Sequence, residues 1–101
     1  MTDADTNKLF KQFADSYIDV ANQLLEEHDP NLVGSSFIYG AARFSSFIVA
    51  SGSKDLDQYK ANKDNAIEHF VGQFKQMLEE NLISYESAFT EKPKYEQYMK
   101  K

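Results

Sequence analysis

From Val33 to Gly52 the chain carries a single charge, Arg43, although 27% of its 101 residues are charged. Large apolar side chains at Val33, Phe37, Phe44 and Ile48, with Gly40 and Ala41 between them, follow the spacing of one helical face. The opposite face, through Ser35, Ile38, Ala42, Ser46 and Val49, is small or apolar where a surface helix would be charged. A helix without a charged face needs cover on more than one side. The segment is therefore expected to be the central element of a helical bundle, with its neighbours as that cover.

The upstream neighbour reads as an amphipathic helix. Leu9, Phe10, Phe13, Tyr17, Ala21, Leu24 and Leu25 recur at three- and four-residue steps, with Lys8, Lys11, Asp15, Asp19 and Glu26 on the other side. Its start is expected near Asp5 or Thr6, whose side chains can cap free amides. His28-Asp29-Pro30 ends it, because the residue before a proline is disfavoured in helical geometry. Pro30 also suits the first turn of a second helix, with Asp29 as its cap and Gly34 or Ser35 as alternative caps. A turn this short sets the first two helices antiparallel.

Gly52, able to adopt a left-handed conformation, is expected to close the second helix, and Ser53 to cap the third. Apolar positions then continue at Leu56, Tyr59, Ala66, Ile67, Phe70, Phe74, Met77, Leu78, Leu82, Tyr85 and Phe89, with no proline before Pro93. The pattern predicts an all-α, three-helix antiparallel bundle with helices over about 6–28, 30–52 and 54–88, in a single domain over 1–101. At 1.5 Å per residue the third helix would reach roughly 48 Å, against about 30–35 Å for the others. That overhang carries Leu82, Ile83, Tyr85 and Phe89. Either the Lys- and Tyr-containing tail over 90–101 covers them, or a second chain does, and dimerisation is the expectation.

Composition excludes several kinds of chemistry. There is no cysteine, so disulfides, thiolate metal sites and cysteine nucleophiles are ruled out. A net charge of −5 opposes a role in gripping phosphate backbones, which needs clustered Lys and Arg. Met1-Thr2-Asp3-Ala4-Asp5 lacks the basic and then apolar pattern of a secretory signal, so a cytoplasmic location is expected. Val33–Gly52 is long enough to span a bilayer, but its serines, glycines and midpoint arginine are costly there, and no membrane span is expected.

Catalytic patterns are missing too. The chain has no phosphate-binding loop, Gly-x-Ser-x-Gly or His-Glu-x-x-His, and its two histidines stand in no metal-ligand spacing. Paired acids such as Glu79-Glu80 point about 100° apart on a helix and read as solvated surface. No cofactor and no metal are expected. The residues left as a candidate interaction or ligand site are Tyr39, Arg43, Phe47 and His69. Arg43 could anchor an anion or stack on Tyr39, one turn away; alternatively its stem packs on Phe47 while its head pairs with a carboxylate. The structural role is the expectation for Arg43, as it is for His69.

The run Ser36-Phe37-Ile38-Tyr39-Gly40-Ala41-Ala42-Arg43-Phe44, followed by Phe47 and Ala50-Ser51, resembles a small bacterial family, domain of unknown function 3144. A second block fits as well: Ala66-Ile67-Glu68-His69-Phe70, then Met77-Leu78-Glu79-Glu80-Asn81-Leu82 and Tyr85. The resemblance implies a short helical cytosolic protein and brings no activity with it. Gly40, where alanine is expected, and the lysines after Pro93 depart from the pattern.

The functional expectation is a non-enzymatic interaction or assembly module, a homodimer with a further protein partner of unknown kind and no nucleic acid. Its contact surface is expected on the serine-rich back of the second helix. The alternative is a small-ligand-binding protein, or an enzyme, built on an interhelical pocket around Arg43.

Overall fold

The computed structural model describes residues 2–90, and these form three helices: α1, Asp3–Leu25; α2, Pro30–Ser51; and α3, Leu56–Thr90. No strand occurs among the described residues. The all-α reading and the number of helices are borne out. Helix ends fall within about three residues of expectation. The tail beyond Thr90 lies outside the described residues.

Local hydrogen bonds explain where each helix begins. At the start of α1 the Asp5 N–H donates to Thr2 Oγ1 (3.1 Å), and the Thr2 N–H donates to Asp5 Oδ2 (3.4 Å). This reciprocal capping box places the cap at Thr2, ahead of the expected Asp5 or Thr6. Asp5 serves instead as the third helical residue, where its charge also meets the positive end of the helix. The last turn of α1 tightens as the Glu27 N–H donates to the Leu24 carbonyl (3.3 Å). Pro30 then opens α2, and the Asp29 carbonyl accepts from the Val33 N–H (3.1 Å).

The junction between α2 and α3 differs from expectation in two respects. Gly52 does not take a left-handed conformation, since no described residue has positive φ. Its N–H donates to the Ile48 carbonyl (3.1 Å), so it simply continues the helical ladder. Nor does Ser53 cap α3. Its hydroxyl turns back and donates to the Val49 carbonyl (2.7 Å), satisfying an acceptor that the ending helix would leave open. Asp55 is the cap, accepting from the Gln58 N–H at Oδ1 (2.9 Å), while Gln58 Oε1 accepts from the Lys54 N–H.

The chain divides into two compact units, Met1–Gly40 and Ala41–Lys101. In the first, Val33 is buried at 6% exposure, and Leu9, Ala14, Ala21 and Leu25 are half-buried. The expected buried face of α1 is corrected here: Phe10, Phe13, Tyr17 and Leu24 remain exposed. The least exposed line runs instead through Ala14, Ala21 and Leu25, beside the aromatic stripe. In the second unit, Ser45, Val49 and Ser53 on α2 and Tyr59, Ala66 and Phe70 on α3 are half-buried. Among the described residues Phe37, Phe44, Phe47 and Ile48 of α2 stay exposed, where cover by the neighbouring helices was expected.

Three substitutions test these junctions. A Cβ on Gly52 would meet the Ile48 carbonyl oxygen at 3.5 Å and that of Val49 at 3.9 Å, both ordinary contacts. Gly52→Ala should therefore stabilise the protein by about 0.4–1 kcal/mol in a denaturant titration; a loss of stability would restore the left-handed reading. Asp55→Ala removes the α3 cap and should cost about 1 kcal/mol in the same measurement, whereas Ser53→Ala should cost less.

Candidate functional site

In the second unit an open groove of about 360 Å³ lies between the end of α2 and the start of α3. Ile48, Val49 and Gly52 line it from α2, and Asn62, Asn65, Ala66, His69 and Phe70 from α3. The turn at 52–55 is what sets these segments beside each other. The His69 ring stands edge-on to Phe70, with centroids 5.1 Å apart and planes at 72°. Chemically the groove offers two amides and an imidazole above an apolar floor. It contains no carboxylate and no hydroxyl nucleophile, and it is open to solvent rather than enclosing. An enclosed ligand pocket hides most of its guest from water, which this groove cannot do.

Of the four nominated residues only His69 lines the groove; Tyr39, Arg43 and Phe47 do not. Phe47 pairs with Phe44 along α2, ring centroids 6.0 Å apart and planes inclined by 33°. Tyr39 belongs to the first unit, whereas Arg43, Phe47 and His69 belong to the second. No group of three or more His, Asp or Glu able to hold a metal ion occurs among the described residues.

A larger feature is the exposed apolar surface, which sequence periodicity locates but cannot declare uncovered. Exposed apolar side chains occur on each of the three helices, among them Phe13 and Tyr17, Phe37 and Phe44, and Phe74 and Leu82. On α2 two of the five serines remove their own polarity from the surface. Ser36 Oγ donates to the Val33 carbonyl (2.8 Å) and Ser46 Oγ to that of Ala42 (2.9 Å). Hydroxyls bonded back into their own helix present no unmet donor to whatever lies against that face. Asn81 does the same on α3, donating to the Met77 carbonyl (2.7 Å). Pro30–Ser51 is by length and composition apolar enough to cross a membrane, with a mean hydropathy of 1.3.

The described residues are thus all helical, and their conspicuous surface is apolar. The chain belongs to the family described as Protein of unknown function (DUF3144), whose model matches residues 10–85. No curated protein and no solved structure matches it. The match takes in both blocks on which the resemblance rests.

Because the Ser46 hydroxyl bonds only within its own helix, Ser46→Ala should leave thermal stability within about 0.5 kcal/mol of the parent. A larger loss would mean that this hydroxyl holds a group from outside α2.

Proposed function

We propose that this protein is a non-enzymatic assembly module, a cytoplasmic homodimer in which an antiparallel three-helix arrangement is completed by a second copy. The observation that carries this reading is the total area left in water, which includes the large apolar side chains of all three helices. A folded chain of 11.6 kDa exposes roughly 5,800 Å²; this chain exposes 9167 Å². Setting aside for residues 91–101 the largest area that unfolded residues expose still leaves an excess of about 2,000 Å² for the rest. Two chains covering each other would bury about 4,000 Å² in total, within the range of obligate dimers.

A bilayer is a less suitable cover. Inserting α2 would place Arg43 close to its middle, and would leave the aromatic stripe of α1 and the apolar positions of α3 in water. A small-ligand site draws support only from the groove at His69. That groove lacks the arginine on which an anion site was expected to depend.

Light scattering and sedimentation equilibrium test the proposal directly. A dimer is expected at micromolar concentration, with no change in mass on adding vesicles and no co-flotation with them. A strict monomer would overturn the reading, and flotation would transfer it to the membrane. Ala42→Glu, on the serine-rich back of α2, should shift the mass towards monomer while circular dichroism retains the helix content. An unchanged dimer would remove that face from the contact.

A further inference from the structure

We infer that tertiary packing in this protein is coupled to pairing: the unpaired chain has no fixed tertiary arrangement, and a second copy supplies it. The inference rests on the homodimer reading and adds the state of the free subunit, whichever faces meet. Surface area carries it. An unfolded chain of 11.6 kDa exposes roughly 16,800 Å², and this one exposes 9167 Å². About 45% of the unfolded surface is thus removed from water, against about 65% for a folded chain of that mass. Counting residues 91–101 as fully exposed raises the share for the rest to about half. A 60-residue domain that hides about 60% is already marginal. Part of what is hidden here is backbone wound into the helices themselves.

The shortfall lies in tertiary packing and not in the helices. Side chains large enough to fix one helix against another stand in water: Phe10, Phe44 and Phe74 are 64%, 61% and 52% exposed. Three of the half-buried positions, Ala14, Ala21 and Ala66, are small and have few atoms with which to hold a neighbour. The bonds from Asp5 to Thr2, Ser46 to Ala42, Ser53 to Val49 and Gln58 to Asp55 span three or four residues. Such bonds keep both partners when two chains separate, so helix content is the property least affected by separation. Fixed packing is the property most affected. The coupling also regulates. While chains are scarce, mass action makes the packed form rise with the square of their concentration, so order depends on how much protein is present.

A urea titration of the unaltered protein tests the coupling, with mass followed by sedimentation equilibrium and packing by the near-ultraviolet circular dichroism of its tyrosines. Mass should halve and the tyrosine signal should vanish in one transition. Raising the protein from about 1 to about 100 µM should move that transition up by roughly 1 M urea. A half-mass species that retains the tyrosine signal would overturn the inference and leave the homodimer standing. A transition unmoved by protein concentration would also overturn it. A chain that is already monomeric without urea would overturn both.

Discussion

The removal of apolar surface from water is the interaction on which this structure depends, and the described residues achieve little of it among themselves. Val33 is the buried hydrophobic of the described residues, whereas a fully buried core side chain touches six to twelve neighbours. Burying a large apolar side chain stabilises by roughly 1.5–3 kcal/mol. Phe10, Phe44, Phe74 and the other exposed apolar side chains therefore represent stabilisation that the isolated chain leaves largely unrealised. Fixing one residue's backbone costs about 1–2 kcal/mol, and against that cost the packing within each unit is thin. Local bonds specify where α1, α2 and α3 begin and end; they do not supply what holds helices of this length in a tertiary arrangement.

Those local bonds were legible in the chain where a residue type admits a single role. Pro30 lacks an amide proton and so had to stand in a first turn, which placed the break between α1 and α2. The misses occurred where a residue can act in two directions. Asp5 can cap or can complete a capping box, and Thr2 decided the matter. Ser53 can bond forward or backward, and the open Val49 carbonyl drew it backward. Gly52 can turn left-handed but need not do so, and with the ladder continuing to Ile48 nothing required it.

The candidate site divides in the same way. Periodicity identified Phe13, Tyr17, Phe44 and Leu82 as members of apolar stripes, because spacing along a helix is a property of the chain. Whether a stripe is covered is a property of its neighbours, and here the expectation that α1 would bury its aromatic face did not hold. His69 was nominated with Arg43, yet the turn at 52–55 sets His69 beside Val49 and Gly52. Arg43 stands more than a helical turn before Ile48, and no local pattern encodes how far along α2 the start of α3 will reach.

The distribution of apolar residues also distinguishes a protein partner from a lipid one. A single amphipathic or spanning segment would concentrate its hydrophobicity in one helix and leave the others with ordinary polar surfaces. Here α2 is the most apolar helix, but α1 and α3 each carry their own apolar stripe beside many charged and polar residues. Two-faced helices of this kind match a surface that is itself part apolar and part charged, which a hydrocarbon interior is not. Ser36 and Ser46, bonded to their own backbone, leave α2 small-sided at those positions, which permits close approach by another helix. The chemistry of all three helices, rather than the hydropathy of α2 alone, therefore favours assembly with another protein surface.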